Sequence, residues 1–538
     1  MDKGVRMRKL LTIMFIFLLS VMFASSMNVA ANARTEKVVI LKSNSSSTEL
    51  QSLLDQNKEN QYNLTIRIPA GQYQLYKELR VYSNTTILAE EGALFSKRHD
   101  KGAIIANDLT NDKGGYTTAS NITIIGGVWD SSKVTKGMEG FRFIHANQIT
   151  IKGATIRNVP EGSKLILLAG VKNVTIEDCT LYGYGGTRIK EAIQLDIVHD
   201  ANLVPSMQQE YIYYDDLACD GINIINNEIY DYPRAIGSHT SVKGVFHKNI
   251  TITGNLIYNI DEVAIKAYNY VNVLIKNNTI TNASAGVLAY TYIENEKKHY
   301  LNPLPNTIQE ATPASYNITI EGNVIKKIHM YQVGTTITWG DGIRIIGSKG
   351  RPITGVSIKK NNIADTKRMG IYVTDAPKTY VGSNIITRTN HHGIYLDRSY
   401  YSKVYYNKVY QPGKALSAYG GIGISASSKS VVFKNIVKNA AKNGVFLYNN
   451  STSCTISTNT IVGSLDNGIS VNLSSDHAKI TNNKITGKLR SKQNNRGIFV
   501  YGADYAKITN NTITNCRLKQ EINVNHSIES KLHQNIIK

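Results

Sequence analysis

Apolar and polar residues alternate in short runs along most of this chain, and the runs return on a beat. Asn249-Ile-Thr-Ile-Thr253 is one such run. It has the period of a half-buried strand and leads into a turn at Gly254-Asn255. An Asn-x-Ile/Val signature marks the same point at Asn227, Asn255, Asn278, Asn323, Asn384, Asn407, Asn435, Asn459, Asn483, Asn511 and Asn535. Most intervals are roughly 23 to 28 residues, a period that predicts a solenoid in which each repeat is one coil. The longer intervals hold an insertion or a skipped beat. Asn tolerates left-handed backbone geometry. Its amide can also bond to the Asn one coil above, so the beat predicts a ladder of stacked side chains.

A second type of strand carries a Gly/Ala-Ile start: Ala192-Ile193, Ala235-Ile236, Ala264-Ile265, Gly286-Val287, Gly342-Ile343, Gly370-Ile371 and Gly393-Ile394. It continues at Gly444-Val445, Gly468-Ile469 and Gly497-Ile498. Equivalent strands recur one coil apart, which means parallel stacking; antiparallel hairpins would need tight two-residue turns between successive strands. Insertions interrupt the stack near 198–219 and 291–315, and loops of that length are often functional. Thr48 to Gln56 reads as a helix with its N-cap at Ser47 or Thr48. It is followed by Ile66-Arg67-Ile68-Pro69-Ala70-Gly71-Gln72-Tyr73. A solenoid exposes unpaired strand edges at its ends, so a cap is expected there.

The first residues stand apart from this pattern. Lys3, Arg6, Arg8 and Lys9 precede an apolar run from Leu10 to Phe23, and Ala31-Asn32-Ala33 offers a small-residue cleavage site. This reads as a secretory signal peptide, too short in its apolar part for a membrane anchor. The division expected is 1–33 signal peptide, 34–119 N-terminal cap and first coils, and 120–538 repeats. The chain carries a formal net charge of +21, which becomes +18 when the leader takes away four basic residues and Asp2. A basic exported protein favours polyanions. An acidic polysaccharide is the expected partner, with no nucleic acid, no membrane after cleavage, and a monomeric state. Cys179, Cys219, Cys454 and Cys516 form no CxxC or CxxH pair, so a zinc site is not expected.

The leader, the Ile-Pro-Ala-Gly-Gln-Tyr segment and about a dozen Asn-ladder coils together resemble the right-handed parallel β-helix proteins of the pectin-lyase-like superfamily. The resemblance implies an all-β, single-stranded parallel β-helix over nearly all of the mature chain. It also implies a polysaccharide-directed activity drawn from lyases, C5-epimerases, hydrolases and tailspikes. The Asp-Pro-His of alginate epimerases is absent, so no catalytic residue transfers by motif. Fold analogy alone does not fix the reaction.

The predicted register supplies candidates instead. Side chains alternate between faces, and stacked strands lie about 4.8 Å apart. With the Ile after Gly/Ala pointing inward, one outward column reads Gln194, Gly237, Lys266, Leu288, Arg344, Tyr372, Tyr395. The next reads Asp196, His239, Tyr268, Tyr290, Ile346, Thr374, Asp397. Glu191 and Arg234 flank the same strands. In the last coils the equivalent positions are Ser470, Asn472, Phe499, Tyr501, Asn523 and Asn525.

The mid-helix group suits β-elimination on a uronic-acid polymer. Lys266, Arg344 or Arg234 would neutralise charge building on the carboxylate. His239 or a tyrosinate would abstract the proton, and Tyr268 or Tyr290 would protonate the leaving oxygen. Asp196 completes the expected catalytic set. Glu191, Gln194, Tyr290, Tyr372 and Tyr395 are the expected substrate contacts. Return of the proton to the opposite face would give C5 epimerisation. Glycoside hydrolysis would need a second carboxylate at about 5–5.5 or about 6.5–9.5 Å, drawn from Glu191, Asp220, Glu262 or Asp341. A non-catalytic glycan-binding or adhesive solenoid is the second reading. No cofactor is required by this pattern. The resemblance leaves room for calcium bridging to a uronate, and Asp196, His199 and Asp200 are a loose metal candidate.

Overall fold

The strands stack as the two signatures demand, with each coil contributing three. In the computed structural model the described residues are 34–136, 139–201, 212–238, 241–291, 300–333, 336–348, 350–414, 418–488, 496–516 and 521–538. The signal-peptide reading at 1–33 lies outside them. Strands of the Asn249-Ile-Thr-Ile type form an 18-stranded sheet, the first face. The Asn-x-Ile strands and the Gly/Ala-Ile strands form the second and third faces. These two are joined in one 31-stranded sheet because Leu256–Tyr268 and Thr279–Tyr290 run unbroken around the corner between them. All pairings along the three faces are parallel, as in Ile193 with Ile236 and Ile265 with Val287.

The interior is a single apolar stack. Ile222, Ile250 and Val273 line it from the first face, Ile229, Ile257 and Ile280 from the second, and Ile236, Ile265 and Val287 from the third. Each column repeats the same β-branched shape at the coil spacing, which packs well on a pleated surface.

The Asn ladder is continuous from Asn227 to Asn535. At each rung the side-chain Nδ2 donates to the Oδ1 of the next Asn, for example Asn255 to Asn278 at 2.9 Å and Asn407 to Asn435 at 3.0 Å. The same amide also donates to a main-chain carbonyl, as Asn407 does to Val381 at 2.9 Å. Asn361 is a rung the beat passed over: it accepts from Asn323 and donates to Asn384. The left-handed position is not the ladder Asn but the residue before it, such as Asn226, Gly254 and Asn277. At Gly254 an added Cβ would meet Asn226 Oδ1 at 2.2 Å. The ladder Asn is therefore selected by its amide, not by backbone tolerance. The ladder begins at Cys179, whose N–H donates to Asn227 Oδ1.

The helix Ser47–Asp55 closes the N-terminal end, with Leu50 and Leu54 buried beneath it. Its cap is Ser46, one residue ahead of the expectation, because Ser46 and Glu49 make a reciprocal capping box. All four cysteines are buried free thiols. Among the described residues no helix is long and apolar enough to cross a membrane.

Candidate functional site

The predicted columns are correct in register. On the third face Gln194 pairs with Gly237, Gly237 with Lys266, Lys266 with Leu288, Leu288 with Arg344, Arg344 with Tyr372, and Tyr372 with Tyr395. Tyr268, Tyr290, Ile346, Thr374 and Asp397 follow in the second column. His239 lies outside the described residues.

The environment of the mid-helix part differs from the expected open patch. Asp196 is 1 % exposed, Tyr268 1 % and Lys266 4 %, and Glu191 and Gln194 are buried as well. Arg234 is clamped between Glu191, at 2.9 Å from Nη1, and Glu262 on its Nε side. Burial alone would lower its pKa, but the two carboxylates hold it above the ordinary value. Lys266 Nζ sits 5.8 Å from the Tyr268 ring and 5.5 Å from Tyr290, whose rings stack at 4.1 Å. Those tyrosines belong to a cluster with Val263, Ala285 and Leu288, roofed by Trp339 and Ile346. Burial lifts the Asp196 carboxyl to about 6 against the pull of Lys164, a main-chain N–H and the Gln194 amide.

One insertion covers this face, and two others are fastened near it. The antiparallel hairpin Tyr331–Val333 with Thr336–Trp339 puts Trp339 over the face, where its Nε1 donates to Glu262 at 2.9 Å. The sequence signal for it was the long interval after Asn323. The segment 212–219 is fastened through His145, which lies between Asp112 (2.8 Å) and Asp215 (3.1 Å). Burial would depress this imidazole, yet the two carboxylates raise it to about 9. The two predicted insertions are tied to each other by Asp216. It contacts His199 and accepts hydrogen bonds from the Leu304 N–H at 2.6 Å and the Thr307 hydroxyl. His199 and Asp216 thus serve this tie. No group of three or more metal-ligating side chains occurs among the described residues.

The same face is open further along. Arg344 lies at the transition: its guanidinium is over Trp339 at 5.3 Å and Tyr372 at 5.1 Å, and Nη1 is 3.4 Å from Asp341. Beyond it is a trough of about 430 Å³ lined by His392, Tyr395, Gly420, Lys442, Asn443, Phe446, Tyr448, Asp466, Asn467, Ser470, Asn472 and Phe499. His392 stacks on Tyr395 at 4.9 Å and 14°, and Tyr395 lies 6.2 Å from Phe446 at 29°. Gly423 lets these rings converge, since a Cβ there would stand 2.2 Å from Phe446 and 2.7 Å from Tyr395. His392 is fixed by the Gly420 N–H donating to its Nδ1 at 2.9 Å, and burial lowers its pKa to about 4, so it is neutral.

The polar rim is partly unsatisfied. Asn467 donates to Asn443 Oδ1 at 3.0 Å, but its own Oδ1 is buried without a hydrogen-bond partner among the described residues, and the residue is 4 % exposed. A buried polar atom left unpaired is costly. Burial also raises the Asp466 pKa against the nearby Lys442 and Arg496. Of the predicted substrate contacts, Tyr395 lines this trough and Tyr372 packs beside it, while Glu191, Gln194 and Tyr290 are in the covered coils. Ser470, Asn472 and Phe499 were in the predicted columns. His392, Asn443 and Asn467 were missed because they lie one residue before the Gly of each strand, on an edge that was not aligned.

The chain belongs to the right-handed β-helix family, which it matches over residues 139–334, 315–485 and 443–538. No curated protein matches it in sequence. Among solved structures it is similar in fold to PfbA, a surface protein and adhesin of Streptococcus pneumoniae. That match has 17 % identity, covers 75 % of this chain and 96 % of that one, and has a TM-score of 0.49. The tailspike of E. coli bacteriophage HK620 in complex with a pentasaccharide matches at 14 % identity, 85 % and 75 % coverage, and TM-score 0.42. The mannuronan C-5 epimerase AlgE6 A-module of Azotobacter vinelandii matches at 12 %, 85 % and 94 %, and 0.32.

Proposed function

We propose that this protein is an exported glycan-binding β-helix whose binding surface is the aromatic trough of its C-terminal coils. The observation that carries the reading is the trough itself. Tyr395, Phe446 and Phe499 offer apolar ring surface, and Asn443, Asn467 and Asn472 line it with amide groups. Aromatic faces with amide and hydroxyl neighbours suit sugar rings, which have one apolar face and a polar edge. The basic charge of the mature chain and Lys442 at the rim favour an acidic glycan.

Binding is preferred to turnover because the residues expected to act chemically are engaged elsewhere. Arg234 is held by two carboxylates, and Lys266 and Asp196 are buried. Asp466, with its raised pKa, favours a second reading in which the trough also cleaves its ligand. A hydrolytic pair would need another carboxylate, and Asp466 is the one carboxylate lining the trough among the described residues.

The experiment is to present the protein with a panel of neutral and acidic polysaccharides. Retention, ultraviolet absorbance of unsaturated products and reducing ends are then measured together. Retention without product, weakened about tenfold by Phe446→Ala (about 1.4 kcal/mol), is the expected result. Product formation abolished by Asp466→Asn would replace binding with catalysis. No retention on any member would reject the glycan reading.

A further inference from the structure

The corner between the second and third faces holds a cavity of about 350 Å³ that the trough does not use. It is lined by Lys327, His329, Lys367, Arg388, Lys414, Asp365, Asn282 and Asn390, with Ile328 and Thr366 at its base. Four permanent cations therefore surround one carboxylate. Lys327, Lys367 and Lys414 make no ion pair among the described residues, although Lys327 and Lys367 come from adjacent coils. Arg388 is the exception, and its arrangement is informative. Its Nε and Nη2 bond Asp365 Oδ1 and Oδ2 at 2.6 and 2.7 Å. That bidentate grip fixes the guanidinium plane and leaves its remaining donors unused by the carboxylate.

Two of the lining cations, Arg388 and Lys414, act on a common centre. The Asp365 carboxyl is held below its ordinary value, first by the Arg388 hydrogen bond and then by the charges of Arg388, Lys414 and Lys326. Like charges gathered around a concave site repel one another unless an anion enters. Lys327, Lys367 and Lys414 are exposed at the cavity, open to an anion arriving from solvent. Asn282 and Asn390 add amides that can serve hydroxyl groups. The cavity is larger than a bare oxyanion and of a size to take a sugar ring bearing one.

We propose that this corner pocket is a second binding site, taking a sugar unit that carries a carboxylate, sulfate or phosphate, with Lys367, Arg388 and Lys414 on the oxyanion and Asn282 and Asn390 on the ring. It shares no lining residue with the trough, although Asn390 lies two positions before His392 on the same corner.

The test titrates the full chain at low salt with glucuronate, glucose 6-sulfate and glucose 6-phosphate, with glucose as the neutral control, read by calorimetry or by chemical-shift change. At least one acidic sugar is expected to bind saturably, and which one does identifies the oxyanion. The double variant Lys367→Glu/Lys414→Glu is expected to weaken it tenfold or more. Phe446→Ala is expected to leave it unchanged, which separates this site from the trough. Lys479→Glu/Lys507→Glu provides a charge-matched control, because those lysines are exposed and stacked on the first face. Equal weakening by that control would reduce the effect to general electrostatics and overturn the proposal. Saturable binding by none of the acidic sugars would overturn it too.

Discussion

The third face of this solenoid is built twice with opposite outcomes. In the coils around Gln194, Lys266 and Leu288 the outward columns are rich in charge and closed. In the coils around Tyr395, Phe446 and Phe499 they are aromatic and amide-bearing and open. Both stretches share the strand signature, the pairing register and the inward isoleucines. The difference lies in what the connections do. Where the chain inserts the hairpin that ends at Trp339, the outward side chains Tyr268 and Tyr290, with Glu262 beside them, become the seat on which it is fastened. Charge on the outside of a β-helix is therefore not by itself a sign of a working site. It also serves as the attachment chemistry for a cover.

The largest effect that would test this contrast is at Arg234. Truncation to Ala removes the guanidinium that Glu191 and Glu262 share, and breaking a buried pair in this way costs about 3–5 kcal/mol. Chemical denaturation should show that loss, while Lys442→Ala in the open trough stays within about 0.5 kcal/mol. A similar, small loss for both would mean that the mid-helix coils are as solvated as the trough.

The ladder gives the next effect, and it should be indifferent to region. Asn407→Ala removes donors to Val381 and Asn435 and the acceptor for Asn384. Unsatisfied buried groups of that kind cost about 1–3 kcal/mol each. The midpoint of unfolding should fall by a comparable amount for Asn255→Ala in the covered coils.

The clasp at His145 adds a pH dependence confined to the covered region. Its folded pKa, about 9, lies above the ordinary 6.5, so its contribution is complete below pH 6.5 and is lost as pH rises through 9. For Asp112, burial alone would raise the pKa, but the bond and charge of His145 bring it down to about 2. Its contribution is complete above about pH 4 and is lost as pH falls through 2. Proteolysis of the 212–219 segment should accelerate above pH 8 in the native chain, and His145→Gln should remove that rise. A protease rate that is flat with pH in both would deny the clasp. The smallest effect is a null: Lys266→Met should leave glycan retention unchanged while Phe446→Ala weakens it. The reverse result would restore the mid-helix patch as the functional surface.

Much of this was legible in the residues. The Asn beat gave the coil length, and Gly/Ala-Ile gave the inward positions from Ile193 to Ile345, all of them buried. From these followed the outward columns, whose register matches wherever the described residues pair. Asn361 escaped because the hairpin insertion stretched its interval. His392, Asn443 and Asn467 escaped because the edge before the glycine was left unaligned. The burial of Lys266 and the capture of Arg234 were illegible for a different reason. A register states which side chains share a surface but not what lies over that surface.

The sequence by itself determined the coil, the register and the ladder, because these follow from local periodicity repeated at one spacing. Only the tertiary structure decided which stretch of the shared face is open. That depends on contacts such as Trp339 with Glu262, His145 with Asp215 and Asp216 with Thr307, made between residues 70 to 91 positions apart. No short-range pattern encodes such pairings, since their partners meet only after the solenoid has wound.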